Sequence, residues 1–431
     1  MKKFVAKHIK KSKRVYYENY FKKYSDDGRK KWQMINNLLN RNKKSRVGIT
    51  KIKHNNTMLT DPKDIAQTFN DFFCNVAQRL KDGDRPAGAL DRGRPPELTI
   101  DSSKRNLTDM LDIECTSFEI EKYISSLKNK ATSDVAIQPL KFVNNIISPV
   151  LCHLVSASLL QGVFPSKLKV AKVIPLHKGG SRVDVGNYRP ISLLSGFSKI
   201  YEKAMHYRLT KFLNDHNIIH DSQYGFRSGH SCEHALLEAQ SRLAAALDRK
   251  KIALLLLIDF SKAFDMVDHG ILLSKLEHYG IRNHHLSWFR TYLTNRQQYV
   301  HVNNCDSDLL TLKYSVPQGS ILGPVLFIIY INDLPHISKL AKYIFYADDA
   351  NIIITADDQF ELRSKVTNIL NLINNWVIAN GLKLNVKKTK YMVFTNKRNV
   401  DKELDIRLDV MKIEYTEQER FLGVIMDSTL S

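Results

Sequence analysis

The sequence predicts a mixed α/β protein in which a small β-sheet is covered by helices on one face. Three stretches carry that prediction. Residues 252–258, IALLLLI, form a continuous apolar run of strand-compatible side chains ending at Asp259, as a buried strand would. Residues 343–354, YIFYADDANIII, read as two apolar strands closed by a turn that holds Asp348 and Asp349. Further on, Leu362, Val366, Ile369, Ile373, Trp376 and Val377 fall on one face of a helix that Gly381 would end. With 431 residues, 43% of them hydrophobic, the chain is long enough for roughly two to four packed subdomains.

The remaining elements follow in chain order. Asp61 caps and Pro62 opens a helix with Ile65, Phe69, Phe72, Phe73, Val76 and Leu80 on one face. Lys81 to Glu97, rich in Gly, Pro and charge, reads as the main linker. Thr116 with Glu119 forms a capping box for a helix carrying Ile120, Tyr123, Ile124 and Leu127. KVAKVIPLHK at 169–178 reads as a strand, followed by a Gly-rich basic turn and NYRPISLLS. Helices are expected over 233–249, over 269–279 with Gly280 as its stop, and from Pro324 through PVLFIIYINDL. LKLNV at 382–386 and YMVFT at 391–395 read as short strands. No internal repeat or low-complexity segment is present.

Charge narrows the function classes. A net charge of +21 and a pI near 9.6 point to a polyanionic partner, nucleic acid or an acidic membrane face, unless the excess is a basic tail with no specific target. Residues 1–54 hold 18 Lys and Arg against 3 Asp and Glu. Tyr16, Tyr17, Tyr20, Phe21, Tyr24 and Trp32 are interleaved with them. That mixture suits phosphate neutralisation with base stacking, and equally an amphipathic helix packed on the body of the protein. The five cysteines have no CxxC spacing, which argues against a zinc site or a disulfide framework and fits a reducing compartment. No apolar run is long enough to span a bilayer, and no apolar segment follows the basic N-terminus as in a signal peptide. KHIKKSKR at 7–14 suits a nuclear address, so the expected location is nuclear or cytoplasmic.

The chemistry concentrates in the carboxylates. Asp259 ends one apolar strand, and Asp348 and Asp349 sit in the turn of an apolar hairpin. Taken singly, an Asp-Asp turn is usually solvated and an Asp after a strand is often a helix cap. Together, on two neighbouring strands, they would bring three like charges to one place and call for a hard divalent cation such as Mg²⁺. Two such ions about 3.5–4 Å apart form the clamp used for in-line phosphoryl displacement. Asp265 and Asp268 are read as structural and as a helix cap.

At this point the chain resembles a known family. LIDFSKAFDMVDH, SVPQGSILGPVLFIIYINDL, FYADD, GLKLNVKKTKYMVF and RFLGVIMD are similar, in order, to the palm motifs of reverse transcriptases. VIPLHKGG, NYRPISLLS and QYGFRSGHSCEHAL resemble the fingers motifs of non-LTR (LINE-type, jockey-like) retrotransposon enzymes. The resemblance implies a right-hand polymerase fold with fingers and palm and the activity of an RNA-directed DNA polymerase. It implies a basic helical N-terminal extension and linker over 1–97, a helical region over 98–157, and a reverse transcriptase domain over 158–431. Within that domain the fingers would cover about 158–250 and the palm about 251–431, with the thumb largely missing.

It also implies roles. Asp259, Asp348 and Asp349 would be catalytic and hold two Mg²⁺ ions, or Mn²⁺, with the backbone carbonyl of Phe260 as a further ligand. Phe264 would lie against the sugar and exclude a 2′-OH, its alternative being ordinary core. Lys178 and Arg189 would meet the incoming triphosphate, with Gln318 and Gly319 beside nucleotide and template. Lys388 would protonate pyrophosphate, with Lys387 and Lys390 as competitors. Phe421, Leu422 and Gly423 match the primer grip. Arg227 would meet template phosphate, and His230 would either join it or be structural. The implied partners are an RNA template, a DNA primer or target, dNTPs and an endonuclease domain outside this chain, with no membrane.

One motif departs from the family. NKATSDVAIQPLKF at 129–142 keeps Lys130, Asp134 and Leu140 but lacks a Pro-Gly and a second Gly, which implies lowered activity. That departure, and the expected lack of nuclease and thumb, motivates the rival expectation of a catalytically inactive truncated remnant that only binds RNA. An RNA-templated RNA polymerase is disfavoured by Phe264.

Overall fold

The computed structural model describes residues 2–25, 27–38, 48–54, 57–82, 108–129, 132–133, 136–408 and 410–430. Helices α1 (Lys2–Lys23) and α2 (Gly28–Leu38) open the chain, followed by a hairpin of β1 (Ile52–His54) and β2 (Thr57–Leu59) and by α3 (Pro62–Asp82). Asp61 caps α3 by accepting from Lys63 N and Asp64 N. The helix carries Lys81 inside its last turn, so the expected linker starts later than the composition suggests. Its bulk, from residue 83, and Lys130 and Asp134 lie outside the described residues. Helices α4 (Ser117–Ser126), α5 (Ile137–Phe142) and α6 (Asn144–Gln161) come next. Thr116 caps α4 through Glu119 N, as the capping box predicts.

Two five-stranded sheets follow. The first is built from β3 (Val170–His177), β4 (Tyr188–Leu193) and, after a long excursion, β6 (Gln297–Val302), β7 (Cys305–Asp306) and β8 (Leu310–Thr311). Strands β3 and β4 are antiparallel, whereas β3 and β6 are parallel, with Val170 opposite Gln297. Helix α3 covers this sheet with Phe69 and Phe73 against Val173, Tyr188, Val300 and Val302. The return of the chain through α10 (below) and β6 to a sheet begun more than a hundred residues earlier was not legible: hydrophobic periodicity is local, and nothing in it specifies a distant partner strand.

After β4 come α7 (Gly196–Asp215), α8 (Cys232–Asp248) and β5 (Ile252–Ile258). Then follow α9 (His269–His278), α10 (Asn283–Leu293), α11 (Gly323–Tyr330), β9 (Ala341–Tyr346), β10 (Asp349–Ala356), α12 (Gln359–Ala379) and β11 (Lys390–Phe394). Ser195, Ser231, Asp268 and Asp358 cap α7, α8, α9 and α12 in turn, each satisfying otherwise unpaired N–H groups of the first turn. Near the C-terminus, β12 (Arg407–Leu408) pairs with β13 (Met411–Lys412), β14 (Glu414–Tyr415) adds an edge strand, and β15 (Gln418–Phe421) with β16 (Val424–Asp427) makes a hairpin.

The central sheet has the order β14-β11-β5-β10-β9. Its strand β5 is buried on both sides, because Ile252, Leu254, Leu256 and Ile258 face a large core shared with α7, α9, α11 and α12, while Ala253 and Leu255 face Ala235, Ala239, Leu243 and Ala246 of α8. The expectation of helices on one face is therefore wrong; they cover both. The unbroken apolar run of β5 has this cause, since a strand with one solvated face alternates and this one does not. LKLNV is likewise not a strand: it makes one bridge, Leu384 to Phe260, and the regular pairing starts at Lys390. Helix α11 ends at Tyr330, before the Ile-Asn-Asp-Leu expected to continue it. Among the described residues no helix is long and apolar enough to cross a membrane.

Candidate active site

The register of the central sheet sets the site. Strands β5 and β10 are antiparallel with Ile258 opposite Ala350, so one step further Asp259 leaves β5 alongside Asp349. Strands β9 and β10 close with Tyr346 opposite Asp349, leaving Ala347 and Asp348 as a two-residue turn. Ala347 has φ +58°, a left-handed conformation that costs an L-residue about 1–2 kcal/mol. Strained turns of this kind persist where the surroundings over-determine them. Here Gln223, buried before α8, accepts hydrogen bonds from Ala347 N at 3.1 Å and Gly225 N at 2.8 Å.

The carboxylates are crowded. Desolvation, then Asp348 and Asp259, pushes the Asp349 carboxyl up to about 6. Desolvation also raises Asp348, with Asp259 adding to it and Arg189 and Lys178 opposing. Asp259 is held by Asn385, whose side-chain amide donates to its carboxylate at 2.8 Å, and its N–H meets the Thr389 hydroxyl at 3.4 Å. Lys388 Nζ stands 3.9 Å from the Asp259 carboxylate, whereas Lys390 is paired with Glu419 at 2.7 Å. Of the three competing lysines, Lys388 is thus the one that the structure brings to the aspartates.

Phe260 sits at the bridge to Leu384, but the bridge bonds run from Asn385 N to the Asp259 carbonyl and from Ser261 N to the Lys383 carbonyl. The Phe260 carbonyl takes no part in them. Three carboxylates and a carbonyl are an all-oxygen donor set that fits a hard divalent cation, and their mutual repulsion is what such a cation would relieve. Among the described residues the one trio of potential ligands with atoms all within 4.8 Å of one another is Asp112, His284 and His285. There both imidazole Nε2 atoms share one Asp112 oxygen, at 2.7 and 3.2 Å. The aspartate trio does not meet that spacing.

Facing the aspartates is a group of cations from the turn after β3, from β4 and from the segment after β5. Desolvation, followed by Lys262, Arg189 and Lys388, brings Lys178 down to about 8, with Asp265 opposing. Lys262, with φ +48°, reaches the carbonyls of Gly186 and Tyr188 at 3.4 Å and ties the two sheets across the site. Gln318 donates to the buried Asp265 carboxylate at 2.7 Å, while its carbonyl accepts from Ser192 N of β4. Gly319, at φ +125°, passes so close to that strand that a Cβ would lie 2.5 Å from the Ser192 carbonyl. Asp265 is structural and Asp268 caps α9, as expected. Phe264 is half-buried, its ring stacked on Phe327 with centroids 4.6 Å apart.

The remaining expected residues make contacts of their own. Arg227 donates to the carbonyls of His220 and Gln223 and so binds its own loop, and His230 meets the Ser228 carbonyl at 3.1 Å. Phe421 is buried with Met392 and Phe394 under the central sheet, leaving Leu422 (φ +47°) and Gly423 (φ +94°) as the turn of the β15–β16 hairpin. The N-terminal aromatics contact one another, as Tyr20 with Tyr24 at 4.7 Å, and Lys30 lies over Tyr24. Sequence reasoning missed Gln223, Asn385 and Lys262. All three stand inside quoted motifs, yet their bonds run to residues far along the chain, which letters alone do not reveal.

Carboxylates at the ends of two neighbouring strands, opposed by the cations of the turn after β3, have the charge layout that metal-dependent phosphoryl transfer requires. The family profile described as "Reverse transcriptase (RNA-dependent DNA polymerase)" matches residues 176–426, more than half the chain. The chain belongs to the reverse transcriptase family, in its non-LTR retrotransposon branch. It is 30% identical over 351 residues to the "Probable RNA-directed DNA polymerase from transposon BS" of Drosophila melanogaster, covering 77% of this chain and 38% of that one. It is 26% identical over 324 residues to the "RNA-directed DNA polymerase from mobile element jockey" of Drosophila funebris, covering 73% and 35%. It is 28% identical over 272 residues to the type-1 retrotransposable element R1 Pol polyprotein of Bradysia coprophila, covering 62% and 26%. The chain thus spans between about a quarter and two fifths of the length of these relatives.

Proposed function

We propose that this chain is an RNA-directed DNA polymerase that copies retroelement RNA, joining dNTPs to a primer 3′-OH. The observation that carries the reading is the register that sets Asp259 beside Asp349 with Asp348 in the adjoining turn. In this reading the first sheet with its loops is the fingers, about residues 158–250, and the central sheet the palm, about 251–431, although β6 to β8 of the first sheet come later in the chain.

Two Mg²⁺ ions, or Mn²⁺, held by Asp259, Asp348, Asp349 and the Phe260 carbonyl, would supply Lewis-acid stabilisation of the phosphate and activation of the primer hydroxyl. The chain's own residues do the rest. Lys178 and Arg189 neutralise the triphosphate, where charge collects on the leaving pyrophosphate. Lys388, beside Asp259, holds a proton at Nζ for that leaving group. Gln318 and Gly319 present backbone to nucleotide and template, the missing Cβ of Gly319 letting this loop lie against β4. Phe264 closes the space a 2′-OH would need. The turn at Leu422 and Gly423 supports the primer, with Leu422 half-buried against the core and Gly423 exposed. The basic N-terminal segment adds sequence-independent attraction for RNA.

The test is primer extension with a poly(rA) template, an oligo(dT) primer, Mg²⁺ and dTTP. The protein incorporates dTTP, and Asp348→Asn abolishes incorporation while RNA is still retained on a filter. Full extension by Asp348→Asn would remove the metal assignment. No incorporation by the wild-type chain, with RNA retained, would favour a binding remnant.

A further inference from the structure

We propose that Gln223 is a positioning residue for the catalytic turn, holding Asp348 and Asp349 through the backbone of Ala347. The inference rests on the polymerase reading for its consequence, but its geometry stands on the contacts alone.

The segment Ser222–Gly225 lies along β9. Tyr224 N donates to the Phe345 carbonyl and Phe345 N to the Ser222 carbonyl, both at 2.8 Å, a parallel bridge between two segments more than a hundred residues apart. This bridge delivers the Gln223 side chain to the end of the strand, where its Oε1 receives two N–H groups, from Gly225 and Ala347. Both partners are donors, so the amide oxygen must be the atom that faces them. Its Nε2 is buried without a partner. A buried amide that leaves its donor unused while its acceptor is doubly engaged has been fitted to the acceptor's task.

The task is specific. The Ala347 N–H is the amide of the residue with φ +58°, the point where the chain must turn to bring Asp348 and Asp349 to the sheet's end. The backbone on the other side is equally close, since a Cβ on Gly225 would lie 2.4 Å from Ala347 N and 3.0 Å from the Tyr346 carbonyl carbon. Gln223 and Gly225 therefore clamp one peptide group, and the two aspartates follow it directly in the chain. Gln223 makes its side-chain hydrogen bonds to Gly225 and Ala347 and none to either aspartate, so it acts through the turn.

The experiment compares Gln223→Met, which keeps length and apolar volume but loses the acceptor, with Gln223→Glu, which keeps an acceptor oxygen at the same reach. Gln223→Asn, one methylene short, serves as a second loss variant. In primer extension Met and Asn lower kcat by about 100-fold, the cost of roughly 1 Å of misplacement, with the KM for dTTP within about threefold of wild type. They also raise the Mg²⁺ concentration for half-maximal rate, and Glu recovers most of both losses. Hydrogen exchange reads the same point without activity: the Ala347 amide exchanges at least about tenfold faster in Met and Asn, and near the wild-type rate in Glu. The proposal is overturned if Met matches wild type in kcat and exchange, or if Met, Asn and Glu all fall together with a lowered melting temperature. If the wild-type chain incorporates nothing, accelerated exchange in Met and Asn alone keeps the clamp and sinks the polymerase reading, whereas unchanged exchange sinks the clamp.

Discussion

Asn385 grips Asp259 twice: its side-chain amide donates to the carboxylate at 2.8 Å, and its backbone N–H donates to the carbonyl at the same distance. This double contact fixes the first aspartate from the segment before β11, just as Gln223 fixes the turn of the second and third. Asn385→Ala leaves one carboxylate oxygen without its donor and frees the side chain to rotate. Steady-state primer extension should show kcat reduced about tenfold to 100-fold with little change in the KM for dTTP. Unchanged kcat would mean that Asp259 is held by the sheet alone.

Phe264 has two roles open to it, and one variant separates them. Removing the half-buried ring from its stack on Phe327 costs about 1–3 kcal/mol in denaturant unfolding whichever role it has. If the ring excludes a 2′-OH, Phe264→Ala also raises UTP incorporation relative to dTTP by about tenfold or more, a step of at least the size one steric contact supplies. Lost stability with unaltered sugar discrimination would make Phe264 core and nothing else.

Lys178 gives the reaction a pH signature. Its ammonium is brought down to about 8 by desolvation and by Lys262, Arg189 and Lys388. The charged form, which a triphosphate needs, is present below that value and lost as pH rises through it. The KM for dTTP should therefore be flat near pH 7 and rise about fivefold between pH 8 and pH 9. Lys178→Arg, charged throughout, should remove the rise. A rise that survives in the arginine variant would belong to another group.

Beneath the central sheet, Lys275 of α9 is fully buried and donates to Asp333 at 2.7 Å and to the Tyr330 carbonyl, with the Trp376 ring of α12 5.1 Å away. Desolvation pulls its ammonium down and Asp333 opposes. Lys275→Met strands a buried carboxylate and should cost about 3–5 kcal/mol in urea unfolding. Pairing it with Asp333→Leu should recover most of the loss, because an apolar pair of similar volume replaces a desolvated ion pair. Failure of the double variant to recover would show that the pair supports something besides itself.

Much of this protein was legible in its letters, and the reason differs by element. The capping of α3, α4 and α9 followed from side chains that bond their own first turn, so Asp61, Thr116 and Asp268 could be read directly. Helix α12 followed from one apolar face at 3.6-residue spacing. The hairpin followed from two apolar runs around a short polar break, although its turn is Ala347 with Asp348, and Asp349 already belongs to β10, paired with Tyr346. The misread elements share a cause. LKLNV has strand-like alternation but packs as a loop over the Asp259 end of β5, making one bridge before the ladder begins. The expected single helical layer failed because α8, read correctly as a helix, gave no sign of which face of the sheet its alanines would cover.

The sequence by itself determined the candidates for the chemistry, three aspartates at the ends of apolar strands and basic side chains around a Gly-containing turn, and the order of motifs that places the chain in its family. Spacing, apolar period and residue type are properties of neighbours in the chain, and neighbours suffice for them. Only the tertiary structure decided that Asp259 stands beside Asp349, that Asn385 and Gln223 hold them, that Lys388 is the lysine at hand, and that Arg227 binds its own loop. Apart from the Arg227 contact, which is local, each of these is a hydrogen-bond register or a side-chain contact between segments tens to more than a hundred residues apart, chosen by how the cores on both faces of the sheet pack together.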